Sequence, residues 1–308
     1  MKEIILKFKK LGLVLSTVAA GVALITLSGC SNSSASEDII TMKGDTVQVS
    51  DLYSAAKEFP AMSTNTLLQN VTFDKIFEKE SSIAKEATSK KIDTQYNTIK
   101  DQYGSQFETA LSQQGLSTSN FKAYLKTQLL EQAAIEQDIA KTQYTTANLK
   151  TAWESYHPEV SAIVLTETTK DAATKAIAAN KADASKFNTD NASSKVSFDS
   201  TSTSVPTDVQ TAAWKLKNDQ ISDVITSTST STGTTSYYVV KMIKTSDKGT
   251  DMNKYKSELK NIIKTQKMSD TSYVSSVIAG YLKKYNVTVK ENAFSSLFSQ
   301  FTSTSSSN

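Results

Sequence analysis

Only Pro60, Pro158 and Pro206 interrupt this chain of 308 residues, and nine glycines are all the freedom the rest of the backbone receives. So few helix breakers favour long helices, and the apolar residues bear this out in their spacing. Leu67, Leu68, Val71, Phe73, Ile76 and Phe77 fall close to the i, i+3, i+4, i+7 pattern, and Phe121, Tyr124, Leu125, Gln128, Leu129, Gln132 and Ile135 repeat it. Each stretch predicts an amphipathic helix that needs a partner. Gly104 and Gly115 are the expected breaks between helices, the second followed by Ser117 as a cap. Ahead of them, Ile39, Thr41, Val47 and Val49 alternate around Gly44-Asp45, which predicts a small hairpin leading into a helix capped by Ser50.

The pattern changes after Pro158. Val160, Ala162, Val164 and Thr166 alternate like a strand, an alanine-rich helix follows over 168–180, and a short helix over 209–216 precedes a strand over 237–243. Between the last two, 226–236 is of low complexity and reads as a loop. One long helix is expected over 251–282, through Tyr255, Leu259, Ile263, Tyr273, Val277 and Leu282, before a short strand at 287–290. A lone strand cannot satisfy its backbone polar groups, and the only unpaired strand material lies at 39–49. The two ends of the chain are therefore expected to pair, making the middle an insertion into a discontinuous helical domain. The tail 291–308, with Leu297, Phe298 and Phe301 in a Ser/Thr background, reads as loosely attached.

The single cysteine carries a second message. Lys2, Lys7, Lys9 and Lys10 precede an uncharged apolar run over 11–27, and Leu27-Ser28-Gly29-Cys30 closes it. A basic start, an apolar stretch and small residues before a cut are the layout of an export signal. The four residues resemble the lipobox of bacterial lipoproteins, in which the cysteine thiol receives a diacylglycerol and becomes the new N-terminus. The resemblance implies a signal peptide over 1–29, lipid on Cys30 and a polar tether over 30–37. Each buried methylene contributes about 0.8 kcal/mol, so acylation holds a domain at the membrane without a spanning helix.

Without residues 1–29 the chain has 30 basic and 30 acidic side chains, and every basic one is a lysine. No positive field argues for nucleic acid, and bidentate guanidinium recognition of phosphate is absent. Cys30 taken by lipid leaves no disulfide and, with one histidine, no Cys/His metal spacing; no metal or cofactor is expected.

Three runs in the middle segment go further. Ala212-Ala213-Trp214-Lys215-Leu216-Lys217 with Gln220-Ile221-Ser222 resembles the parvulin run A-A-F-x-L-x-x-G-E-I-S. Tyr237-Tyr238-Val239-Val240-Lys241 resembles G-Y-H-I-I-K, and Phe187-Asn188-Thr189-Asp190-Asn191 resembles Y-S-x-D-x. With the lipobox and the helical flanks, the chain is similar to the PrsA-type foldase lipoproteins of the peptidyl-prolyl isomerase family. The resemblance implies an α+β fold: a helical chaperone domain from 38–145 and 247–290 around a parvulin-like α/β domain at 146–246. It also implies unfolded secreted proteins as partners, a homodimer as one form of association, and a place on the outer face of a Gram-positive-type cell membrane.

Isomerisation in this family turns a prolyl peptide bond, whose barrier is about 20 kcal/mol, over a hydrogen-bonded floor of two histidines with a Cys or Asp between them. The two histidine positions fall on Val164 and Tyr238, and Asp190 alone matches. Rotamase activity is therefore expected to be weak or absent. Val205, Val209 and Trp214 stand at pocket positions and read either as a peptide pocket or as core. His157, the one histidine, reads as a solvated residue at the domain entry. Client binding would fall to Tyr, Phe and Met side chains of the helical domain. Two other readings stand beside this one: a residual isomerase working through Asp190, and a transporter's solute-binding lipoprotein, although the latter calls for two α/β lobes.

Overall fold

The computed structural model describes residues 35–229 and 233–302, so the signal, the lipobox and Cys30 lie outside the described residues, as do the loop tip 230–232 and residues 303–308. The chain divides into two compact units. One takes the chain up to Gln143 and again from Gln266, and the other runs over Tyr144–Thr265.

The first unit begins with β1 (Asp38–Met42) and β2 (Asp45–Gln48), an antiparallel hairpin in which Met42 faces Asp45. Gly44 takes a φ of +74° in the turn, a conformation that a side chain disfavours. Six helices follow: α1 (Val49–Glu58), α2 (Thr64–Lys79), α3 (Ser81–Ala84), α4 (Ser89–Tyr103), α5 (Phe107–Ser112) and α6 (Phe121–Thr142). The first starts one residue before the expected cap: Ser50 lies inside it, and the Asp51 carboxylate accepts from the Gln48 N–H at 2.9 Å. Ser117 opens a turn rather than capping α6, exchanging hydrogen bonds with Asn120. Gly104 and Gly115 do end their helices, with φ of +51° and +68°. Along α6 the buried stripe passes through Leu130 rather than Leu129, because the true helical period carries the face one residue further.

The chain ends pair as the strand argument requires. β7 (Thr288–Val289) lies antiparallel to β1, Thr41 facing Thr288 and Ile40 facing Val289, so the sheet order is β2-β1-β7. The core beneath it mixes both ends: Ile40, Leu68, Phe77 and Leu130 pack with Ile278 and Leu282. The loosely attached tail is a correction. Phe294, Leu297 and Phe298 are buried in this core, Phe298 lies 6.0 Å from Phe73 and Phe301 meets Phe73 edge-on at 5.7 Å. Residues 294, 297, 298 and 301 have the i, i+3, i+4, i+7 spacing, and a short helix α13 (Ser299–Thr302) completes the turn.

In the second unit, α7 (Thr146–Ser155) precedes a four-stranded antiparallel sheet of β3 (Val160–Glu167), β4 (Lys195–Phe198), β5 (Ile225–Thr228) and β6 (Thr235–Lys244), in the order β4-β3-β6-β5. Helices α8 (Lys170–Ala182), α9 (Ala184–Asp190) and α10 (Thr207–Ala213) flank it. β4 and β5 are strands that the polar Ser/Thr composition concealed.

Two boundaries also differ from expectation. The helix over 251–282 is two, α11 (Lys256–Ser269) and α12 (Thr271–Lys284), because the Asp270 carboxylate accepts from the Ser272 and Tyr273 N–H groups at 3.1 Å and starts a new helix. The second unit also reaches past 246 to Thr265. Tyr255 packs against Tyr156 and Trp153 at 5.0 and 5.7 Å, and Lys248 Nζ donates to the carbonyls of Trp153 and Tyr156 at 2.6 and 3.0 Å. These bonds draw 247–265 onto α7.

Candidate functional site

The second unit's sheet has two distinct faces, because successive side chains alternate. Val160, Ala162 and Val164 of β3 share a face with Tyr238, Val240 and Met242 of β6, and α10 covers it. Val164 pairs with Val240 and Tyr238 with Thr166, so Val164 and Tyr238 are diagonal neighbours on adjacent strands. The geometry thus brings together the two positions at which the resemblance expects histidines. An aliphatic group and a phenol stand there, and neither can act as an imidazole does.

Asp190 is elsewhere. It ends α9 with its carboxylate in an exposed ion pair to Lys186 at 2.7 Å, one helical turn away. It borders an open cleft of about 540 Å³ whose sheet wall is Leu165 and Glu167, on the face opposite Val164 and Tyr238. Phe187 and Ala176 form part of its floor. The structure therefore does not assemble Val164, Asp190 and Tyr238 into one floor. An exposed pair of this kind is screened by water and contributes little.

Val205 and Val209 are 5% and 0% exposed and pack with Phe198, Ala213 and Met242. They are core, so no apolar pocket opens at their side chains. Trp214 is half-buried beside them, and its ring lies against the imidazole of His157, with centroids 4.2 Å apart and planes 6° from parallel. His157 is thus exposed, as its sequence position suggests, and is also stacked on Trp214. Partial burial, aided by the nearby Lys248 charge, lowers its pKa, so the stack holds a neutral imidazole at pH 7. The Trp214 Nε1 is buried with no hydrogen-bond partner among the described residues, at the edge of a cavity of about 60 Å³ that His157, Pro158 and Thr245 help to line.

The turn that follows β4 is closed by its own side chains. Asp199 accepts from the Thr201 N–H at 2.9 Å and from the hydroxyls of Thr201 and Ser202 at 2.7 and 3.0 Å. Lys241, 2% exposed, donates its ammonium to the carbonyl of Asp219, a positive-φ residue, and so anchors the strand-like segment 219–222 against β6. Sequence reading placed Lys241 in a motif without assigning it a role. A lysine in an otherwise apolar strand was the available signal.

In the first unit, most phenylalanines and, of the tyrosines, Tyr124 and Tyr285 are buried; Phe59, Tyr96, Tyr103, Tyr281 and Phe301 are partly exposed, and Tyr53, 64% exposed, is the large hydrophobic left uncovered among the described residues. A groove of about 540 Å³ between α6 and α12 has a mixed lining of Asp138, Lys141, Gly280, Tyr281 and Lys284. At its margin Tyr273 donates to Asp138 at 2.6 Å, and burial with that bond pushes the phenol up to about 12. Among the described residues no group of three or more His, Cys, Asp or Glu could hold a metal, and no helix is long and apolar enough to cross a membrane.

No family model matches the chain. It is nevertheless 68% identical over 306 residues to the foldase protein PrsA of Lactococcus lactis subsp. lactis strain IL1403, covering 98% of this chain and 99% of the relative. The chain belongs to the PrsA foldase family. The PrsA of Streptococcus gordonii strain Challis is 36% identical over 94% of this chain and 97% of its own length. The crystal structure of the Lactococcus lactis PrsA superposes with a TM-score of 0.79 at 66% identity, over 86% of this chain and 99% of that one. The Streptococcus pneumoniae PrsA follows at 0.68 and 34% identity, over 86% of this chain and 99% of that one. These likenesses extend over both units, and the α+β architecture expected from the sequence is that of PrsA structures.

Proposed function

We propose that this chain is a lipid-anchored foldase on the extracytoplasmic face of the membrane, which holds secreted proteins while they fold and catalyses prolyl isomerisation weakly or not at all. The observation that carries the foldase role is the 68% identity to a named foldase along nearly the whole chain. The anchor rests on Leu27-Ser28-Gly29-Cys30 after its basic and apolar leader. The weak catalysis rests on geometry: Val164 and Tyr238 stand where histidines would be needed, and Asp190 opens on the other face of the sheet.

In this reading the two units divide the work. The helical unit makes weak, repeated contacts with unfolded segments, so that release stays fast, and a second copy of the chain would multiply those contacts. The parvulin-like unit is a folded platform whose core has replaced its proline pocket. The solute-binding reading has no support among the foldase relatives.

Two assays test the proposal. The lipidated protein should suppress aggregation of an unfolded exported client at stoichiometric amounts; tight binding of a small solute with no suppression refutes the foldase role. In a proline-peptide assay the rate should stay near the uncatalysed one and be unchanged by Asp190→Ala. A fast rate lost in that variant would restore the isomerase reading.

A further inference from the structure

The helical unit contains two half-buried acids that the foldase role does not use. Asp74 lies on α2 facing α6, where its Oδ2 accepts from the Thr127 hydroxyl at 3.0 Å. Its Oδ1 is buried and has no partner among the described residues. One turn beyond Thr127 on the same face of α6 stands Glu131, a half-buried carboxylate close enough to sense the charge of Asp74. The other charges facing this seam are Glu58 at the end of α1, Glu78 on α2 and Lys126 on α6, and Tyr124 of α6 faces Glu131. Lys126 is already committed to an ion pair with Glu78. Acids thus outnumber available cations around the buried Asp74 Oδ1.

A fully ionised carboxylate leaves a buried oxygen without a donor, an arrangement that is costly in a helix seam. A proton removes the cost, because a carboxyl group needs fewer donors and no longer repels its neighbour. We propose that Asp74 and Glu131 form a proton-dependent latch between α2 and α6, closed while at least one of them is protonated and strained when both ionise.

Burial is the main cause holding both acids protonated past their usual range: Asp74 is pushed up to about 7, and Glu131, with the Asp74 charge adding to the effect, to about 8. The sign follows from proton binding. The folded chain binds more protons than the unfolded one between the ordinary carboxylate range and these raised values, so stability falls as pH rises through that window and is level above it. The seam lies beside Leu68 and Leu130, so loosening it uncovers apolar surface of the same unit.

The test follows melting temperature and binding of an apolar dye from about pH 5 to about pH 9 on the whole mature chain. In the wild type the melting temperature should fall and dye fluorescence should rise as pH increases. The double variant Asp74→Asn with Glu131→Gln should lose both slopes, and Asp74→Asn alone should shift the remaining transition to lower pH by removing the neighbouring charge. An unchanged slope in the double variant overturns the latch. Infrared spectroscopy of the wild type decides the matter without a variant: the carbonyl band of a protonated acid must be present near pH 6 and fade by about pH 9, and its absence near pH 6 overturns the proposal as well.

Discussion

Phe298→Ala isolates the least expected packing in this molecule. Phe298 is 9% exposed and sits against Phe73, with Leu297 and Phe294 buried in the same cluster. Truncating a buried phenylalanine costs about 3–5 kcal/mol when the surroundings cannot collapse. Here the residue lies near the chain end, and Phe301 is close enough to shift into part of the space, so the lower limit of about 3 kcal/mol applies. In a unit of this size each kcal/mol moves the melting temperature by about 2–4 °C, which gives a drop of about 6–12 °C. The assay can tell the two units apart, because both tryptophans, Trp153 and Trp214, lie in the second one. Far-ultraviolet dichroism should show part of the helical signal lost early, while tryptophan fluorescence melts at its wild-type temperature. A loss under about 0.5 kcal/mol would mean that the tail is a surface appendage and that the packing argument is wrong.

Three further outcomes are expected. Lys248→Met should leave the carbonyls of Trp153 and Tyr156 without their donor and cost the second unit about 1–3 kcal/mol, read this time by tryptophan fluorescence. Gly115→Ala should destabilise the first unit by at least about 1 kcal/mol, since φ is +68° and the new Cβ would lie 2.6 Å from that of Ala61; a neutral result would show that the turn readily rearranges. Glu80 accepts from Lys284 and Tyr285, and these bonds hold its pKa below the usual 4.5. Its contribution is therefore present above that value and lost as pH falls through the lowered one, and Glu80→Gln should flatten this acid-side loss in urea titrations.

Local regularity decided how much could be read in advance. The helices of the first unit announced themselves because a 3.6-residue apolar period repeats over several turns, and Gly104 and Gly115 marked their ends. β4 and β5 stayed hidden because edge strands of Ser, Thr and Lys carry little apolar alternation. Val164, Tyr238 and Asp190 could be aligned as a family's catalytic positions, but which face of the sheet each occupies depends on strand register and on where α9 ends. The tail was misread for a related reason: its four apolar residues have helical spacing, but the serines between them resemble a linker.

The sequence alone determined the family, through its motifs, and the pairing of the two chain ends, through a strand that needs a partner. Tertiary structure decided what depends on three-dimensional neighbours. It buried Val205 and Val209, stacked His157 on Trp214, carried 247–265 to the second unit and brought Asp74 of α2 against Thr127 of α6. The physical reason is that period and composition specify which side chain must leave water, whereas the partner it meets is set by distant segments competing for the same buried surface.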